Sequence, residues 1–319
     1  MRVKQFNPLI YYPNPFEDWV MQTFDELADK GPFGEGRVKL GFAFDLFFLP
    51  PEMIKSLFAQ VKNKGVKTIT CHGSVSLGNI VKSLHDLGLL DESIIISHGG
   101  VIRSADAELI KTAGAHLSST PSSELQMAMG RPYCFDASFI DGGATGDAIG
   151  LQDNASLGVD CHTITGGSIL TEARIALQNA RHIFNEYYMK QGRVPRTVPE
   201  NLSVEAAFNL ATIKGAEAAN MSNEVGLASI ILHSTPADID TVIVDGIIRK
   251  EGGKLLPVSV DGAARQVTGE TILDWTTVAR KVVSSRANMQ EEIDKIEFVE
   301  ASNALHKLFY VDESRIVDV

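Results

Sequence analysis

The chain has 319 residues, 44% of them hydrophobic and 22% charged, enough apolar material for one large folded domain or two smaller ones. Its 29 Lys and Arg against 40 Asp and Glu leave a net charge of −11, which repels phosphate backbones and anionic lipid surfaces and argues against nucleic acid or membrane as partners. No apolar run reaches the roughly 20 residues of a bilayer span, the opening residues lack a signal-peptide core, and three scattered cysteines (Cys71, Cys134, Cys161) suit a reducing compartment, so the expectation is a cytoplasmic protein.

In chain order, an aromatic-rich start leads into a helix predicted over Phe16 to Ala28 and a Gly/Pro turn at GPFGEG. One unit then repeats: an apolar strand-like run, a polar or glycine break, and a helix with apolar residues three and four apart. The runs are RVKLGFAFD, VKTITCH, SIIISH, AHLSSTP and ASLGVD. Between the first four lie PPEMIKSLFAQVKNKG, LGNIVKSLHDLGLL and SADAELIKTAG, and GSILTEARIALQNARHIFNEYYMK follows the fifth. Apolar strands alternating with amphipathic helices predict an α/β fold with a parallel sheet covered by helices. After Asn201, LSVEAAFNLATIKGAEAANM reads as helix broken at Gly215. DTVIVDGIIRKEGGKLL reads as a hairpin turning at Asp245-Gly246, and the chain from Thr271 onward has the spacing of a helical tail.

Asp45, His72, His98 and Asp160 each close a strand-like run. Parallel α/β sheets place their chemistry at that C-terminal edge, so four ligand-capable side chains at strand ends form a candidate site. Asp45 could instead cap the element that follows. His116 is expected to pack locally. His162 sits two residues beyond Asp160, and His85, His182, His233 and His306 read as structural or exposed. The glycine pairs at 99–100, 142–143 and 166–167 match neither a dinucleotide fingerprint nor a Walker loop and are expected in pocket loops.

The stretches TCHGSV, IISHGGVIRSADAELIKTAGAHLSSTPSSELQM and SLGVDCHTITGGSILTEARIALQNAR resemble the metal-dependent amidohydrolase superfamily, in its cytosine-deaminase-like and triazine-hydrolase-like branch. The resemblance implies an incomplete (β/α)8 TIM-like barrel made of strands four to eight, with a remnant β-sandwich and a C-terminal helical tail. The corresponding domains are 1–215, 216–262 and 263–319. It also implies His72, His98 and Asp160 as metal ligands, with His98 and Asp160 catalytic, and one divalent zinc or iron as cofactor. In that chemistry the metal lowers the pKa of a bound water, a carboxylate moves the proton, and an imidazole polarises the carbon under attack.

The sequence departs from the family pattern in four places. No His-x-His pair occurs, since the first histidine is His72; barrel strands one to three and the leading half of the sandwich have no counterpart; EVGLASIIL replaces a sandwich segment; and Val75 stands where many relatives carry a catalytic Glu. Three readings follow. One is a hydrolase acting on a non-peptide C–N bond of a small organic molecule, or a descendant using His/Asp acid–base chemistry for a proton shift, elimination or decarboxylation. The second is a non-catalytic eroded paralogue or interaction subunit, and the third a truncated gene product. Unpaired strand edges left by the missing strands predict a homodimer.

Overall fold

The computed structural model describes residues 3–6, 9–11, 18–33, 36, 38–73, 78–100, 102–135, 150–219, 239–244 and 246–308. Val75, Asp245, His233, Gly142, Gly143 and the segment EVGLASIIL lie outside these residues. Contacts divide the chain into two compact units, one formed by 23–236 and one by 1–22 together with 237–319.

The larger unit is an α/β layer built on a five-stranded parallel sheet. Its strands β3 (Phe42–Ala43), β4 (Ile69–His72), β5 (Ile94–Ser97), β6 (His116–Ser119) and β7 (Ala155–Leu157) pair in chain order. The helices α2 (Pro51–Asn63), α3 (Ile80–Asp86) and α4 (Ser104–Ala113) connect successive strands, α5 (Pro121–Gln126) follows β6, and α6 (Ile169–Met189) follows β7. Helix α1 (Asp18–Lys30) precedes β3 and straddles the boundary between the units. The helices form where the periodicity predicts because one face of each is apolar. Ile54, Phe58 and Val61 are buried on α2, and Ala173, Ala176, Leu177, Ala180 and Phe184 on α6.

Burial alternates along β4 and β5. Ile69, Cys71, Ile94 and Ile96 are buried while Thr70, Ile95 and Ser97 are half-buried and His72 is exposed. One face of the sheet is therefore sealed by helices, and the other, which carries His72, is partly open to solvent.

The helix predicted to break at Gly215 breaks instead at Thr212, between α7 (Val204–Ala211) and α8 (Ile213–Ala218), which contains Gly215. Thr212 has φ −132° and ψ −87°, and its hydroxyl donates to the Phe208 carbonyl at 2.7 Å, four residues back. A threonine that bonds into the preceding turn competes with helix continuation, whereas a glycine within a helix only weakens it.

The smaller unit holds the hairpin β1 (Val3–Phe6) and β2 (Leu9–Tyr11), and the three-stranded sheet β8 (Val242–Val244), β9 (Ile247–Glu251) and β10 (Lys254–Leu255). Val244 pairs with Ile247, which gives the predicted two-residue hairpin connection, and Gly246 adopts the positive φ of 73° that such a turn needs. The tail is not helical from Thr271. Ile272–Leu273 is strand β12, paired with β11 (Val258–Ser259) on either side of α9 (Gly262–Thr268), and helix begins only after Asp274, whose carboxylate caps the Thr277 N–H at 2.8 Å. Helices α10 (Trp275–Ile293) and α11 (Phe298–Leu308) complete the unit. No helix among the described residues is long and apolar enough to cross a membrane.

Candidate active site

The strand-end histidines come together. The His72 and His98 rings lie 5.6 Å apart, nearly parallel at 27°. Parallel pairing in register produces this, because His72 faces Ser97 across β4 and β5 and the next residue is His98. The close approach needs Gly73. Its N–H donates to the Ser97 carbonyl at 2.7 Å, and a Cβ there would sit 2.6 Å from the His98 carbonyl oxygen.

Asp45, just past β3, is the partner of His72 and does not cap the next helix, which starts at Pro51 with no side-chain cap. One carboxylate oxygen accepts the His72 peptide N–H and the other meets the His72 Nδ1, each at 2.7 Å. Burial alone would raise the Asp45 carboxyl. The ring and peptide bonds from His72, with the charges of His72 and His98, outweigh it and hold the group below the usual carboxylate value. Conversely the Asp45 bond raises His72 above an ordinary imidazole against its own desolvation, and the charges of Asp45 and Asp160 add to the rise.

His98 is shifted the other way. Its residue is buried, and desolvation lowers its pKa, helped by His72 and only partly offset by Asp160 and Asp45. Its Nδ1 is tied to the Thr120 hydroxyl at 2.6 Å. Both rings thus have Nδ1 engaged, which directs each Nε2 away from its holding group.

Asp160 is exposed and its carboxylate accepts from the Ser123 hydroxyl. Its charge favours the protonated form of both His72 and His98. His98 and Asp160 share positive φ values, 67° and 55°, a region that non-glycine residues seldom occupy and that clusters at functional sites. His162 is exposed, its ring lying against Gly167.

Sequence reasoning counted the segment Ser119–Glu124 as part of the resemblance but gave it no role in the site, although STPSSE is an unusually dense polar run at the end of a strand. All six of its residues are buried. Thr120 holds His98, Ser123 holds Asp160, and the Ser122 hydroxyl and N–H donate to buried Glu172 at 2.7 and 2.8 Å. The Ser119 hydroxyl donates to Glu124 at 2.7 Å, and burial pushes the Glu124 carboxyl upward despite that bond and the N–H groups of Thr120 and Gly99. One short turn therefore fixes two of the three expected site residues, and a buried polar network of this kind rigidifies what it holds.

A catalytic zinc takes at least three protein donors. Among the described residues no group of three or more His, Cys, Asp or Glu is gathered for a metal ion. His72, His98 and Asp160 as placed do not form the expected ligand set by themselves, and a metal here would need donors beyond them.

The five-stranded sheet and its helices have solved counterparts. An adenosine deaminase from Xanthomonas campestris with bound zinc superposes with a TM-score of 0.55 at 16% identity, over 80% of this chain and 62% of that one. A mutant atrazine chlorohydrolase from Arthrobacter aurescens TC1, complexed with zinc and atraton, gives 0.57 at 17% identity, over 79% and 59%. The chain shares its fold with these two proteins over that part of its length. In sequence, a 5-methylthioadenosine/S-adenosylhomocysteine deaminase of Pyrococcus abyssi (strain GE5 / Orsay) is 27% identical over 203 residues, 56% of this chain and 42% of the deaminase. The chain therefore spans less than half the length of that deaminase and about 60% of the two solved structures. No protein-family profile matches it.

Proposed function

We propose that the chain carries the catalytic edge of an amidohydrolase-type enzyme, with its sheet equivalent to strands four to eight of the (β/α) barrel, and that it acts on a non-peptide C–N bond of a small organic molecule. The observation that carries this reading is the stacked pair His72 and His98, whose environments push their proton affinities in opposite directions. Two titratable groups pushed apart in this way are suited to act as acid and base at one pH. The fold shared with a zinc-bound adenosine deaminase and an atrazine chlorohydrolase, and the partial sequence match to a nucleoside-type deaminase, support the substrate class.

In hydrolysis, His98 as the neutral imidazole takes a proton from water through Nε2 while the water oxygen bonds to the carbon. His72 as the imidazolium, oriented by Asp45, delivers a proton to the departing nitrogen. Asp160 stabilises whichever ring carries the extra proton. The same groups suffice for a proton shift, elimination or decarboxylation on an activated substrate, a second reading favoured by the absence of a three-donor group among the described residues.

The zinc in the solved neighbours supports a divalent metal, which would supply an activated water if further donors joined His72, His98 and Asp160. The test is turnover of a panel of amino-substituted heterocycles by the full chain, with and without chelator, alongside metal analysis. His72→Ala, His98→Ala and Asp160→Asn are each expected to lower turnover about 100-fold or more. Unchanged turnover in all three variants would overturn the assignment, and no turnover of any substrate would favour the non-catalytic alternative. Chelator-sensitive hydrolysis with stoichiometric metal would place the metal-dependent reaction above the metal-free one.

A further inference from the structure

Helix α10 has 19 residues and buries none of them. Its apolar side chains are nevertheless ordered. Trp275, Val278, Val282, Met289, Ile293 and, just past its end, Ile296 follow at spacings of 3, 4, 7, 4 and 3. At about 100° per residue the five within the helix fall within roughly 60° of its circumference, a stripe as narrow as a helix–helix seam. Trp275 is 60% exposed and Val282 and Met289 61% each, so the stripe is open at its start and centre, while Val278 is half-buried.

The charges run against the helix's own dipole. Beyond the Asp274 cap, Arg280, Lys281 and Arg286 occupy the first half and centre and Glu291 and Glu292 the last turn, which holds no basic residue; Lys281 meets Glu270 at 3.1 Å, and Lys295, past the helix end, meets Glu292 at 2.5 Å, both as exposed pairs. A solitary helix is stabilised by the opposite arrangement, with cations near the C-terminus. An antiparallel neighbour of the same sequence removes the conflict by bringing each acidic end beside a basic, dipole-positive one.

We propose that α10 pairs antiparallel with α10 of a second copy of this chain. From Val278 to Ile293 the spacings of 4, 7 and 4 read the same in both directions, so a two-fold axis between Ser285 and Arg286 superimposes that part of the stripe on itself. It sets Val278 opposite Ile293 of the second copy and Val282 opposite Met289. Lys281 and Glu292 lie on the same flank of the stripe and come within about two residues of facing each other across the axis, twice per dimer, where each would share or exchange its exposed partner, Glu270 or Lys295, for the other. The pairing also takes the apolar stripe out of water.

Sedimentation velocity on the full chain tests this. Wild type is expected to be dimeric at micromolar concentration. Val282→Asp is expected to weaken the dimer at least about tenfold by placing a charge in the seam. Lys281→Glu and Glu292→Lys should each weaken it, and the double exchange should restore it, because both cross-axis pairs are re-formed with reversed sign. All three positions are exposed, so circular dichroism of the variants should match wild type. A monomeric wild type, a dimer indifferent to Val282→Asp, or a double exchange that fails to rescue would each overturn the proposal.

Discussion

Asp45 shows what a single residue's role depends on. From sequence it is a carboxylate after an apolar run, equally suited to capping a helix or joining a site. Its two bonds to His72 settle the matter, and they bear on any acid–base reaction. His98 acts as a base only above its lowered pKa and His72 as an acid only below its raised one, so the rate should follow a bell with a wide top. Asp45→Asn removes the largest influence raising His72. The alkaline limb is expected to move to lower pH while the acid limb, set by His98, shifts little, with the maximum falling about 10- to 100-fold. A pH–rate profile in which the alkaline limb stays put would show that His72 is not the acid. The network at Ser119–Glu124 was visible as composition but not as function, because hydroxyls after a strand are ordinary turn residues until their burial is known.

At the scale of elements, the repeated strand–helix unit was legible because each unit buries one face locally. The predicted helices at 104–114 and 167–190 are α4 and α6 to within two residues at each end. The run RVKLGFAFD, by contrast, keeps only Phe42–Ala43 as strand, since an edge strand is defined by how far its one neighbour follows it. Pairing of Ile272–Leu273 with a segment 14 residues upstream carries no periodicity at all. Glycines set close approaches in the same non-local way. A Cβ on Gly100 would lie 1.5 Å from the Met129 carbonyl oxygen, and one on Gly130 would lie 2.5 Å from the Gly100 Cα. Gly100→Ala is therefore expected to cost about 2 kcal/mol or more, since backbone must move, and chemical denaturation should show a lower midpoint. Gly65→Ala is the comparison at an open position, where only its φ of 77° opposes the change.

At the scale of the whole molecule, the two histidines shape stability against pH through linkage. His72 has a raised folded pKa, so the stability it contributes is present below its unfolded value and is lost as pH rises through the raised one. His98 has a lowered folded pKa, so the unfolded chain takes up its proton first and stability is lost as pH falls from the ordinary imidazole value through the lowered one. The thermal midpoint should therefore be highest between these limits. His98→Gln is expected to flatten the acid side of the curve and leave the alkaline side in place, and an acid side unchanged in that variant would exclude His98 as its origin. Asp45 adds a loss at still lower pH, as the medium falls through its depressed folded pKa.

The sequence by itself determined the α/β class, the parallel strands and the polar residues that end them or follow within three positions, because these follow from local apolar periodicity and from the polar break after each strand. Tertiary structure alone decided that Asp45 serves His72, that a buried serine-rich turn holds His98 and Asp160, and that the first 22 residues join the chain after 237 in one unit. Those outcomes rest on contacts between residues far apart in the chain, where register and burial choose among partners that local pattern leaves equivalent.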